Sequence, residues 1–223
     1  MKKILIIVAH QDDETISMGG TISKLSKQKN KIFAVSFTDG VSSRSKVEKK
    51  KIMERSESAK KASRILGFKW IKNFNLPDNE LDKISLLKII KMIEKVKNEI
   101  NPDIIFTHNS SDLNIDHRLI SNATITAFRP EVKKKVKEIY FFETPSSTEF
   151  NLLKNKKNFT PNYFVDIEKN WRIKLKAINS YSKEMRKYPH PRSARAIKIL
   201  NSYRGSQCCI KLAEAFEVYR LVN

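Results

Sequence analysis

Short β-branched runs alternate with longer helical stretches through the first half of this chain. That alternation constrains its architecture more than any other feature. Lys3–Val8, Lys31–Phe37, Lys69–Phe74 and a segment within Asp103–Thr107 read as strands. Between them, Glu14–Lys27, the stretch from about Glu48 to Leu66, and Leu81–Ile100 read as helices. The last is amphipathic, with Ile84, Leu87, Ile90, Ile93, Val96 and Ile100 at helical spacing. Gly67 is placed to end the second helix, and Asn101-Pro102 stops the third. Strands that alternate with helices build βαβ units with right-handed crossovers, and hence a mainly parallel sheet flanked by helices. In the second half, a helix near His117–Phe128 precedes strands at Glu138–Phe142 and Tyr163–Ile167. Helices at Glu168–Lys183 and Ala194–Tyr203 follow, separated by the loop Tyr188–Ser193, and a short element holds Ala213 to Phe216. The expectation is one α/β domain over residues 1–223, its C-terminal segment packed on the sheet or over its edge.

Composition narrows the class. A chain of 223 residues is long enough to bury a proper core, and 40% hydrophobic content with 12 Phe, 6 Tyr and 2 Trp argues against disorder. The only two cysteines, Cys208 and Cys209, are adjacent, which excludes a disulfide framework and a four-cysteine zinc site; they are expected to pack as small hydrophobes. No stretch approaches the roughly 18 apolar residues that span a bilayer. The run Ile4–Val8 is too short for a signal peptide and carboxylates follow it at Asp12 and Asp13, so a cytoplasmic location is expected. The formal net charge is +20, which invites nucleic acid, an anionic membrane or an anionic substrate. The lysines are spread along the chain and mixed with acids, as between Lys83 and Glu99, and no zinc finger, RNA-binding aromatic signature or basic tail accompanies them. They read as mainly solvated surface, with no specific nucleic-acid partner expected and peripheral contact with an anionic membrane left open. A basic nucleic-acid or polyanion-binding module stands as the rival reading from another class.

Two loops concentrate acids and histidines against this charge. The first strand runs into His10-Gln11-Asp12-Asp13-Glu14 at a helix start; the fourth runs into His108 and then Asp112-Leu113-Asn114-Ile115-Asp116-His117. In open α/β sheets, ligands bind outside the carboxyl ends of the strands where the strand order reverses. If the first and fourth strands are neighbours, the two loops meet. Imidazole and carboxylate suit zinc, and three protein ligands leave a position open for catalysis. His10 and Asp13 would be two ligands and His117 the third; Asp12 could then act as base toward a water acidified by the cation. The bland reading is that Asp12, Asp13 and Glu14 merely stabilise the helix through its dipole.

Ala9-His10-Gln11-Asp12-Asp13-Glu14 resembles the Ala-His-Pro-Asp-Asp-Glu signature of the PIG-L/LmbE-like zinc-dependent N-deacetylases. The resemblance extends through Thr38-Asp39-Gly40 with Ser42-Ser43-Arg44, Glu54-Arg55, Leu66-Gly67 and Asp112 to Arg118. It continues in the late segments Pro145 to Glu149, Pro189 to Ser193 and Ala213 to Phe216, so it covers nearly the whole chain. It implies a Rossmann-like sheet, zinc or another divalent ion on His10, Asp13 and His117, and Asp12 as general base. It also implies removal of acetate from an N-acetylated amino sugar, whether a glycolipid of the N-acetylglucosamine type, a nucleotide sugar or a surface-polysaccharide precursor. The alternative within enzymes is another amide, such as a thiol conjugate. The family's proline is Gln11 here. Its second-loop histidine, which helps bind the oxyanion or protonate the amine, is Asn114, and an amide cannot act as a general acid. His190, pre-positioned between two prolines, is the candidate replacement, with a structural or surface histidine as the alternative, and either His190 or Asn114 would be the donor to the oxyanion. Asp39 is either a substrate contact or a turn former, and Arg44, Arg55 and Arg192 are candidate phosphate or sugar contacts. His108 is expected to support the site from behind or to belong to the core.

Overall fold

A computed structural model describes residues 1–43, 49–132, 136–151 and 158–222. Six helices flank a seven-stranded sheet that is mostly parallel. Strands β1 (Lys3–Val8), β2 (Lys31–Thr38), β3 (Lys69–Leu76), β4 (Ile104–His108) and β5 (Glu138–Phe142) run parallel, with β1 between β2 and β4. Strand β7 (Ala213–Leu221) lies antiparallel against β5, and β6 (Tyr163–Asp166) lies antiparallel against β7 at the edge. The order is thus β3-β2-β1-β4-β5-β7-β6. The chain leaves β1 toward one side of the sheet and returns to its other side at β4, so the crevice between them is the switch point anticipated from the sequence.

Residue alternation along the buried strands builds two core layers. Ile4, Ile6 and Val8 face one side, where α1 (Asp13–Lys27), α2 (Lys49–Leu66), α5 (Trp171–Ile178) and α6 (Ala194–Ser206) pack; Leu5, Ile7 and Ala9 face the other, against α3 (Leu86–Ile100) and α4 (Ile115–Ala127). Among the described residues, no helix is long and apolar enough to cross a membrane.

Four expectations change. The stretch from Leu81 begins as a 3-10 turn, Leu81–Lys83, and Ile84 is extended before Ser85 opens α3. Ile84 fits the helical period without being helical. The stretch from Glu168 divides into a 3-10 turn, α5 and a second 3-10 turn ending at Tyr181. The C-terminal element is a nine-residue strand that enters the sheet between β5 and β6 rather than lying on it. Cys208 and Cys209 are exposed, because they sit in the turn that leaves α6, where Cys209 takes a φ of 55°.

The C-terminal elements also hold α1. The helix departs from helical geometry at Met18, freeing backbone N–H groups just beyond it. Gly20 N and Thr21 N donate to the Glu214 carboxylate at 2.9 and 2.6 Å. Lys174 Nζ, fully buried, lies 2.6 Å from the same carboxylate and donates to Asn201 Oδ1 at 3.1 Å. A buried charge pair of this kind is tolerated because each member has further hydrogen-bond partners.

Candidate active site

The site lies at the carboxyl ends of β1 and β4. His10 follows β1, Asp12 and Asp13 open α1, and His117 stands in the first turn of α4. Three donor atoms converge there. His10 Nδ1 is 3.1 Å from Asp13 Oδ2 and 3.1 Å from His117 Nε2, and His117 Nε2 is 3.3 Å from Asp13 Oδ2. Metal bonds of about 2.0–2.2 Å at tetrahedral angles separate ligand atoms by about 3.3–3.6 Å. The triangle is therefore close to the size a zinc-like ion needs, and one face of it opens to a cavity.

The outer atoms of both imidazoles face carboxylates. His10 Nε2 lies 3.0 Å from Asp78 Oδ1 and 3.3 Å from Asp116 Oδ2, and His117 Nδ1 lies 3.2 Å from Asp112 Oδ1. A carboxylate behind a ligating histidine fixes the ring and raises its basicity. Those carboxylates are themselves held. Asn79 N and Leu81 N donate to Asp116 at 2.8 and 3.1 Å, Ser43 Oγ donates to Asp78, and Ser147 and Thr148 donate to Asp112.

Charge and polarity fit a cation. Burial opposes protonation of His10, but Asp13, Asp116 and Asp78 outweigh it and hold the imidazole well above its ordinary value. For His117 burial is again outweighed, by Asp13 and Asp112, and the value rises to about 9. Burial would raise Asp13, but His117 and His10 draw it well below the carboxylate range. Asp78 and Asp112 sit at about 2 for the same reason: burial is overcome by the neighbouring imidazole. The pocket thus favours positive charge between its carboxylates. The buried Asp13 Oδ1 accepts no hydrogen bond among the described residues, Arg192 Nη2 standing 3.6 Å away, so protein atoms alone do not satisfy this cluster. On these grounds the donor set fits a divalent ion.

His108 plays a supporting part. Its Nε2 accepts from Ala9 N at 2.9 Å, which leaves the proton on Nδ1 facing Thr144 Oγ1 at 3.3 Å. Burial first, then the neighbouring His117, drive its value well below the ordinary one, so it is neutral. It stacks on His117 with ring centroids 3.9 Å apart.

Asp12 sits beside the triangle between two guanidinium groups. Its Oδ1 is 3.0 Å from Arg55 Nη2, at an angle that makes no hydrogen bond, and its Oδ2 accepts from Arg192 Nη1 at 3.1 Å. Burial raises its carboxyl, the two arginines oppose this, and Asp13 adds to the rise. Its backbone is strained, with φ at 140°, and its carbonyl accepts from Thr15 N and Ile16 N at 3.0 and 2.9 Å. Glu14 stabilises this turn by accepting from Asp12 N at 3.1 Å and Tyr181 Oη at 3.1 Å; burial pushes its carboxyl up to about 7. Arg55 reaches in from α2, donating to Gln11 O and Gly40 O at 3.0 Å each and pairing with Glu184 at 3.1 Å. Gly40 is required twice over. Its φ is 65°, and a Cβ there would lie 2.7 Å from the Arg55 guanidinium.

The other expected residues divide. Asn114 caps α4, its Oδ1 accepting from Asp116 N at 2.8 Å, while its Nδ2 donates to Asn79 Oδ1 at 3.0 Å. The side chain of Asp39 folds into its own turn, accepting from Val41 N and Ser42 N at 2.8 and 2.9 Å. Arg44 lies outside the described residues. His190 is exposed; its Nδ1 accepts from Arg192 N at 3.0 Å, and no hydrogen bond or ion pair among the described residues joins its ring to the cluster. The arginine two residues on enters the site in its place. Asp78, Glu184 and Ser146 join the site from three separate loops; Ser146 lies in the Pro145–Glu149 segment, and Asp78 and Glu184 have no local pattern that marks a site. Together these groups wall a cavity of about 210 Å³ in which every described side chain is polar or charged. A larger cavity, of about 690 Å³, shares Arg55 and Glu184 with it and runs along α2.

Residues 5–128, more than half of the chain, match the family described as PIG-L, GlcNAc-PI de-N-acetylase. The chain belongs to the PIG-L family. Over 186 residues it is 27% identical to a protein of Escherichia coli K12 described as the uncharacterized deacetylase YaiS, covering 81% of this chain and 90% of that protein. Its fold matches N,N'-diacetylchitobiose deacetylase from Pyrococcus horikoshii with a TM-score of 0.79 at 24% identity, over 98% of this chain and 84% of that one. GalB, the 4-carboxy-2-hydroxymuconate hydratase of Pseudomonas putida KT2440, gives 0.79 at 22% identity, over 100% of this chain and 99% of that one. The fold thus serves a hydratase as well as deacetylases. De-N-acetylation is the PIG-L family's described chemistry, and the reaction of this member has to be argued from its site.

Proposed function

We propose that this PIG-L member is a divalent-metal-dependent amidohydrolase that removes acetate from an N-acetylated amino sugar. The observation that carries the reading is the convergence of His10 Nδ1, Asp13 Oδ2 and His117 Nε2 within 3.1–3.3 Å of one another, with the Asp12 carboxylate alongside. A zinc-like ion on those three atoms supplies Lewis acidity, lowering the pKa of water and polarising a carbonyl. Asp12 takes a proton from the attacking water. Its Oδ1, free of hydrogen bonds, is the atom available to accept it. The new C–O bond forms at the acetamide carbon, the C–N bond breaks, and Asp12 returns the proton to the departing amine. Arg55 and Arg192 oppose the rise that burial imposes on the Asp12 carboxyl.

The wholly polar wall suits a hydroxyl-rich sugar rather than an apolar amide. The larger neighbouring cavity is lined by Lys50, Lys51, Arg55, Lys61 and Lys183 against Glu54, Glu57 and Glu184, with Lys183 paired to Glu54, and this basic excess favours an anionic continuation of the substrate such as a phosphate-linked carrier. Replacement of Asp12 by Asn tests the reading. The variant is expected to retain one divalent ion per chain and to lose acetate release from N-acetylglucosamine derivatives by at least about 100-fold, the scale of a positioned acid–base group. Turnover near that of the unaltered protein would sink the role given to Asp12.

A further inference from the structure

The reaction needs a donor for the carbonyl oxygen as it gains negative charge. The second-loop position that resembles the family's histidine is Asn114, and its amide is committed: the oxygen caps α4 and the nitrogen donates to Asn79. His190 is exposed and bonded within its own loop. Arg55 donates to Gln11 O and Gly40 O, its Nη1 pairs with Glu184 at 3.1 Å and its Nη2 is held 3.0 Å from the Asp12 carboxylate, and its side chain is 5% exposed. Arg192 is less tightly enclosed. Its Nε donates to Ser146 Oγ at 2.9 Å and its Nη1 to Asp12 Oδ2 at 3.1 Å. Its Nη2 makes no hydrogen bond among the described residues, where the nearest carboxylate atom is Asp13 Oδ1 at 3.6 Å. The side chain is 19% exposed and stands in the cavity wall.

We propose that Arg192 is a catalytic residue of this protein, its Nη2 N–H groups binding the acetamide oxygen as it becomes an oxyanion. The inference rests on the deacetylase reading above. A guanidinium is held charged throughout, so it stabilises the oxyanion without giving up a proton, and the proton balance stays with Asp12. The loop around it is built to present it. The His190 imidazole accepts from Arg192 N, Arg186 N donates to Arg192 O at 3.3 Å, and Ser193 Oγ caps α6 by accepting from Ala196 N at 3.0 Å. His190 is accordingly a positioning residue for Arg192.

Because Arg192 also touches Asp12, loss of turnover alone would not separate binding the oxyanion from orienting the base. The separating probe is a methylphosphonamidate analogue of glucosamine, whose phosphoryl oxygen mimics the oxyanion and which undergoes no proton transfer. Arg192→Ala, with metal content and melting temperature checked, is compared with the unaltered protein for acetate release and for calorimetric affinity toward the analogue. The expected result is a fall in kcat of about 100-fold or more, the range for one lost oxyanion donor, and an analogue affinity that falls in parallel. KM changes little, and added guanidinium, but not ammonium, restores part of kcat. A fall in kcat with unchanged analogue affinity would overturn the proposal in favour of orienting Asp12. So would a rise confined to KM, which marks a substrate-holding role, or kcat within threefold of the unaltered protein. If the unaltered protein neither releases acetate from any N-acetylated sugar nor binds the analogue, the deacetylase reading itself fails, and this proposal falls with it.

Discussion

His10 Nδ1 and His117 Nε2 face each other at 3.1 Å, and both imidazoles are held above their ordinary values by surrounding carboxylates. Two protons cannot occupy that gap, so in the metal-free protein at neutral pH one nitrogen carries a proton that the other accepts. Ligation requires both nitrogens bare. Loading the site at pH 7.5 is therefore expected to release at least one proton per ion. The sign follows from the raised values: protons compete with the cation below them, so affinity falls as pH falls from about 9, the value at His117. Titration calorimetry in two buffers of different ionisation enthalpy reads the proton count directly. A heat of binding independent of the buffer would contradict this description of the pair. Asp12 illustrates the same competition in a carboxylate. Burial drives it toward neutrality, and the flanking guanidinium groups oppose that rise.

At the scale of elements, His117 is placed by a helix cap. Asn114 occupies the N-cap of α4 with extended backbone, and its side-chain oxygen satisfies the first free N–H groups of the helix. An asparagine serves there where the family pattern has histidine because capping needs only a short acceptor. Asn114→Ala is expected to cost about 1 kcal/mol of stability, the usual value of a cap, whereas Asn114→Asp retains it; denaturant melts of the two variants check this. Equal losses in both would show that the amide's bond to Asn79, not the cap, is what matters. The elements legible in the sequence were those with a local signal. The β-branched runs of β1 to β4 and the acidic turns at their ends are such cases, and they sufficed to bring His10, Asp13 and His117 together. What escaped depended on distant partners. Arg192 meets Asp12 across 180 positions of sequence. Asp78 reaches His10 from the turn after β3, and β7 slots between two strands that precede it in the chain. No periodicity encodes such meetings. The same holds for Cys208 and Cys209, whose burial was expected from residue type, while the turn after α6 turned them outward.

For the molecule as a whole, the sheet joins both ends of the chain into one support. Strand β1 delivers the turn that carries His10 and Asp13, and Glu214 on β7, paired with buried Lys174, grips the helix that the turn begins. The net charge of +20 is then a property of the exterior, set against a buried cluster in which Asp12, Asp13, Asp78, Asp112 and Asp116 outnumber the guanidinium groups of Arg55 and Arg192. That contrast is what the account turns on: an acidic, polar, cation-seeking pocket in a basic shell, working as an N-deacetylase. The direct test is acetate release from a panel of N-acetylglucosamine derivatives, neutral and phosphate-bearing, by protein stripped with chelator and then reloaded with one equivalent of zinc or another divalent ion. The account predicts no release from the stripped protein and restored release at one ion per chain on at least one of these sugars. Release unaffected by stripping, or none from any member of the panel when the site is fully loaded, would contradict it.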